Sequence, residues 1–224
     1  MGFRDRFQNL KETVGQWADS SGGSSLDRKI ERNLAEMESG TEIERTAAVK
    51  ALVIQAQTDD KWADPIITSF LRVLPDQLAS PQEAIIDGLL ELRKVKVSRE
   101  EAIFETIQET LDSPYPSVRS KVVDIWTRFS LKSDAKTSDT IAVLFEMLSD
   151  DDKDIRYQTQ ESLSKILHSV PKVALPELKN ALADDDWRVK YHSIVLLTEF
   201  ARKYPDPSLA LAPEVIIAFG SGER

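Results

Sequence analysis

LSDDDKDIRYQTQESLSKI, residues 148–166, and LADDDWRVKYHSIVLLTEF, residues 182–200, write one pattern twice at an offset of 34 residues. Each copy opens on a Leu, continues with an acidic triplet and places an aliphatic residue seven positions after the Leu (Ile155, Val189). A cation follows directly (Arg156, Lys190), and then a tyrosine (Tyr157, Tyr191). Below each aliphatic anchor the positions at +4, +8 and +11 trace one helical face: Thr159, Leu163 and Ile166, then Ser193, Leu197 and Phe200. A fixed offset of this kind marks a repeat array, in which one unit cannot bury its own apolar face and must stack on a neighbour.

The pattern extends towards the N-terminus. LDSPYPSVRSKVVDIWTRF begins at Leu111, with Val118 as anchor, Arg119 as cation and Val122, Trp126 and Phe129 as core positions. A fourth match is expected at Ile43 with Ala47, Ala51 and Ile54, although Glu44 stands where a cation should follow the anchor. A fifth, weaker one is expected at Ala84 with Gly88, Leu92 and Val95. Second helices fill the gaps: Pro65 to Leu74, one opened by a Ser98/Glu101 capping box, Ser138 to Leu148, Val173 to Leu182, and Leu209 to Phe219. Alternating apolar and polar runs that would read as strands are almost missing, so the expected class is all-α, with about five helix pairs.

Ahead of the array, Phe3, Phe7, Leu10, Val14 and Trp17 are spaced 4, 3, 4 and 3 apart, which places them on one face of an amphipathic helix over residues 1–18. DSSGGSS, residues 19–25, reads as a polar linker. Residues 26–40 read as a capping helix with Leu26, Ile30, Leu34 and Met37 as its apolar stripe, and 41–224 as the repeat array. The five-residue apolar face is a docking surface, expected on the chain's own array or a second copy, with peripheral membrane contact as the alternative.

Periods near 34 also suit tetratricopeptide and ankyrin repeats, but their W-x-x-L-G-x-x-Y and T-P-L-H-x-A patterns are missing. The acidic turns followed by aliphatic-cation pairs, and the phrase VALPELKNALADDD at 173–186, resemble HEAT repeats, closest to the short phycobilisome-lyase-like form. The resemblance covers about Thr41 to Phe219 and implies a right-handed α-α superhelix, a HEAT-like solenoid. It further implies a hydrogen-bonded ladder between repeats, with Arg119, Arg156 and Lys190 as cations and the acidic triplets, Asp151 and Asp185 at their centres, as caps or ladder partners. Lys190 lacks the planar fork of Arg, so its rung should be the weakest.

Composition excludes several functions. Of 224 residues, 41% are apolar and 30% charged, as in a soluble chain with a core. Cysteine is absent, which removes disulfides, thiolate nucleophiles and Cys-ligated metals. The net charge of −9 argues against nucleic acid, whose affinity is built on Lys and Arg. Apolar runs are too short to span a bilayer, and a cytoplasmic location is expected. His168 and His192, the only histidines, form no H-E-x-x-H or His-Glu pair, so the metal site of HEAT-like iron hydroxylases is not expected. The acidic triplets lack the interspersed glycine and closing glutamate of a calcium loop and read as helix caps. Trp126 falls on a core position, whereas Trp62 and Trp187 lie in turns and could pack or stack a ligand.

The reading that follows is a non-enzymatic protein-interaction scaffold or adaptor without a cofactor, holding a basic partner on an acidic concave face. Its expected contacts are Arg72, Glu105, Glu109, Glu146 and Glu177, which point away from the core stripes of the second helices. The alternatives are a membrane-proximal adaptor docked through the N-terminal helix and a bilin lyase-like chaperone or enzyme, the latter on resemblance of repeat type alone.

Overall fold

The computed structural model describes residues 25–131 and 137–209, together with residue 213. The amphipathic segment, with Phe3, Phe7, Leu10, Val14 and Trp17, the linker ahead of Ser25 and most of the expected last helix lie outside the described residues. Among the described residues every regular element is helical. The chain divides into two compact units, Met1–Ser113 and Pro114–Arg224.

In the first unit, α1 (Ser25–Ser39) packs on α2 (Glu42–Thr58), which in turn packs on α4 (Ala79–Leu92). The shorter α3 (Ala63–Val73) and α5 (Glu100–Glu109) follow α2 and α4 as their second helices. Thr41 opens α2 with a capping box: its amide donates to Glu44 Oε2 at 2.8 Å and its hydroxyl accepts from the Glu44 amide at 3.4 Å. That bonding holds the Glu44 carboxyl below the usual carboxylate range. The box expected at Ser98/Glu101 does not form; Ser98 lies in a 3-10 turn, Val97–Arg99, and α5 starts through Arg99 with no side-chain cap. The clearest reason for a glycine is at Gly88 in α4. A Cβ there would meet Val53 Cγ2 at 2.7 Å and Phe70 Cε2 at 2.9 Å, so α4 approaches α2 and α3 too closely for any side chain.

In the second unit, α6 (Pro116–Ser130), α8 (Lys153–Ser169) and α10 (Trp187–Lys203) form one row, α6 against α8 and α8 against α10. The second row is α7 (Thr137–Glu146) and α9 (Pro171–Leu182), packed on each other and on the first row, and α11 (Pro205–Leu209) closes on α10. The core positions read from the sequence are buried here: Val122, Trp126, Thr159, Leu163, Ile166, Ser193, Leu197 and Phe200, with Phe129 half-buried. Thr159 and Ser193 occupy the same place in successive helices, and neither hydroxyl has a protein partner among the described residues.

The register of the first unit differs from expectation. Ile43 is 83% and Ile54 62% exposed, while Ala48, Val49, Leu52, Gln55 and Ala56 are buried. Helix α2 is apolar on most of its circumference, so two stripes compete, and the one a single residue later wins because Leu52 and Val49 offer more area to α1 and α4 than the alanines do. In α4 the buried face is Ile85, Leu89 and Leu92, with Val95 at the rim, which moves the anchor from Ala84 back to Pro81 by most of a turn.

Candidate partner-binding surface

With the registers corrected, the residue after each anchor is Arg45, Gln82, Arg119, Arg156 and Lys190. The steps are 37, 37, 37 and 34, so the missing cation of the fourth match is Arg45, and a neutral Gln stands at the fifth. Three of these residues, Arg45, Gln82 and Arg119, tie one repeat to the next. In the first unit Arg45 Nη1 donates to Gln77 Oε1 at 3.3 Å, and Gln82 Oε1 accepts from Ser113 Oγ at 2.8 Å. In the second, Arg119 grips Asp150 with both forks, Nε to Oδ2 at 2.8 Å and Nη2 to Oδ1 at 2.9 Å. That bond raises the already high Arg119 pKa against the cost of its burial.

The acceptor for Arg119 is Asp150, the first acid of the triplet, and not the central Asp151. Arg156 turns onto its own loop, donating to the carbonyls of Asp150 and, at 3.0 Å, Asp151. Each triplet divides its labour in the same way. Asp150 and Asp184 accept from the amides of Asp152 and Asp186, at 2.8 and 2.7 Å. Asp152 and Asp186 cap α8 and α10 through the amides of Asp154 and Arg188, also at 2.8 and 2.7 Å. Asp151 and Asp185 are left outside the caps, on the exposed side of their turns. Among the described residues no group of three or more potential ligands is placed to hold a metal.

The residues expected to contact a partner divide into two sets. Glu105 and Glu109 are exposed one turn apart on α5, and Glu146 is exposed on α7. Arg72 is instead paired with Glu38 of α1, where burial pushes the Glu38 carboxyl up despite the guanidinium. Glu177 accepts from Ser138 Oγ at 2.8 Å and from Asn180 Nδ2 at 3.2 Å, which ties α9 to α7.

Sequence reasoning missed a second surface, although half of its signal was the tyrosine in both opening copies. Tyr157 is 64% and Tyr191 57% exposed, and Trp187, at the start of α10, is 69% exposed. His192 is buried, its ring in T-shaped contact with both tyrosines, the centroids 6.3 Å from Tyr157 and 5.2 Å from Tyr191. Its Nδ1 is hydrogen-bonded to Gln160 Oε1 across to α8. Burial, with a further push from Arg156, lowers the His192 pKa, so the ring is neutral at pH 7. The other two tryptophans outside the N-terminal segment are packing residues: Trp126 is core, and Trp62 is buried with Lys61 over its ring at 5.4 Å.

A family profile described as HEAT repeats matches residues 104–198. Residues 104–198 carry HEAT repeats. The matched HEAT segment includes the tightest rung, Arg119 on Asp150, and both acidic triplets. The finer phycobilisome-lyase-like kinship rests on the quoted sequence phrases alone. A solved structure described as "Crescerin uses a TOG domain array to regulate microtubules in the primary cilium" is similar over 89% of this chain and 85% of its own, with a TM-score of 0.52 and 16% identity. That likeness is one of fold, an all-α, HEAT-like arrangement of paired helices. No curated protein matches the chain by sequence. Among the described residues no helix is long and apolar enough to cross a membrane.

Proposed function

We propose that this HEAT-repeat chain is a non-catalytic scaffold that holds a basic protein partner through the exposed carboxylates of its second helices. The observation that carries this is the division just described. Arg72 and Glu177 are used internally, whereas Glu105, Glu109 and Glu146 extend into solvent on the same class of helix. Carboxylates unpaired among the described residues, on a chain of net charge −9, favour cationic partners and steer their approach. HEAT arrays are chiefly binding scaffolds, and the chemistry-bearing residues here serve caps, rungs and packing.

The test is capture on immobilised full-length chain, with the retained proteins identified by mass spectrometry and their affinities then measured at low and high salt. Binding should weaken as salt rises and in the variant E105Q/E109Q/E146Q; affinity indifferent to both sinks the electrostatic reading. Co-sedimentation with microtubules asks separately whether the likeness to the Crescerin domain extends beyond fold.

A further inference from the structure

We propose that the aromatic row on α8 and α10, Tyr157, Tyr191 and Trp187, is a docking surface for a Lys- or Arg-bearing peptide segment of a protein partner. It lies on other helices than the glutamates above and stands without them.

Three large rings are exposed in one short stretch of surface, and their order is built. His192 is fixed by Gln160 and packs in T-shaped contact with both Tyr157 and Tyr191, so the two rings have less freedom than isolated surface side chains. The tyrosines are 34 residues apart, and so are the uncapped acids Asp151 and Asp185 in the turns just before them. An exposed acid six residues ahead of an exposed tyrosine therefore occurs twice, at the repeat spacing. Asp154, three residues before Tyr157, is exposed on the same side of α8, whereas Glu161, four after it, is paired with Lys165 at 2.8 Å. Counted with Arg119, which is bound to Asp150, the stretch from Asp150 to Lys165 has five acids against four cations, and Asp184 to Tyr191 has three against two, so carboxylates stay in excess on both helices.

Rings bordered by excess carboxylate select cations, because the guanidinium or ammonium gains the ring quadrupole and the negative charge together. The chain already shows the arrangement with its own residue. Arg188 lies over the Trp187 ring at 5.7 Å, with Nη1 3.7 Å from Asp186 Oδ2. An arginine from a partner would find the same combination at Tyr157 and Tyr191.

The experiment is a titration of full-length chain into a fluorescein-labelled, capped octapeptide of alternating Arg and Gly, read by anisotropy at low salt. The controls are the same peptide with Glu for Arg, and maltohexaose as competitor. Saturable binding of the Arg peptide alone is expected, weakened about fivefold or more in Y157A/Y191A and in D151N/D185N. It should be kept within about twofold in Y157F/Y191F, which retains the ring faces. All these positions are exposed, so the variants should keep the wild-type circular dichroism and melting temperature. The proposal is overturned by any of four results: no saturable binding, equal binding of the Glu peptide, displacement by the sugar, or affinity unchanged in Y157A/Y191A. Selective loss in E105Q/E109Q would return recognition to the second helices.

Discussion

Asp150 accepts from two of the three guanidinium nitrogens of Arg119 and from the amide of Asp152 with a nearly buried carboxylate, so one residue joins a helix pair to its successor and shapes the turn between them. Removing the guanidinium leaves that charge buried and short of a partner. Arg119→Ala should cost about 3 kcal/mol in urea unfolding, the low end of the range for breaking a buried pair. Lys190→Ala, at the equivalent place one repeat beyond Arg156, should stay within about 0.5 kcal/mol, as surface changes do. Equal losses would refute the assignment of Arg119 as the rung. His192 gives a second residue-scale expectation, with its sign fixed by the lowered pKa. The unfolded chain binds a proton near the ordinary histidine value, about 6.5, while the folded chain resists it. The contribution of neutral His192 is thus complete above that value and lost as pH falls through and below it. The gap in melting temperature between wild type and His192→Gln should narrow from pH 7.5 to pH 5.5; a constant gap would show that the ring titrates normally.

Helix α2 sets the limit on what the sequence could tell. Its period is helical, and its place in the array was legible, but it carries two apolar stripes one residue apart, and periodicity cannot choose between them. The choice is made by neighbours: α1 and α4 take Leu52 and Val49 and leave Ile43 and Ile54 in solvent. Leu52→Ala should therefore cost about 2–5 kcal/mol. Ile43→Ala should change stability by less than about 0.5 kcal/mol, and comparable losses for the two would restore the sequence register. In α6, α8 and α10 the polar face is unambiguous, and there anchors, caps and core positions could be read directly. The candidate site was legible in part. Exposure of Glu105, Glu109 and Glu146 follows from their place off the core stripe, but the pairing of Arg72 with Glu38 and of Glu177 with Ser138 joins residues 34 and 39 apart across separate helices. The aromatic row was written in the repeats, but only the packing of His192 against both tyrosines makes it a surface.

At the scale of the molecule, the boundary between the units falls at Ser113–Pro114, directly after the hydroxyl that completes the Gln82 rung. Each unit keeps its own rungs: Arg45 with Gln77 and Gln82 with Ser113 in one, Arg119 with Asp150 in the other. Fragments 1–113 and 114–224, expressed separately, should each show helical circular dichroism and a cooperative melt. A fragment that stays unfolded alone would show that its core depends on the other. Within the array the cation positions advance by 37 residues three times and then by 34. In α8 and α9 one residue, Val170, separates the paired helices, whereas six separate α6 from α7. In genetic terms, the hairpin between paired helices is where this chain has room for in-frame gains and losses of codons. From an acidic turn to the last core position of the next helix, a single lost codon would rotate every later side chain by about 100° and turn the buried stripe away from its neighbour.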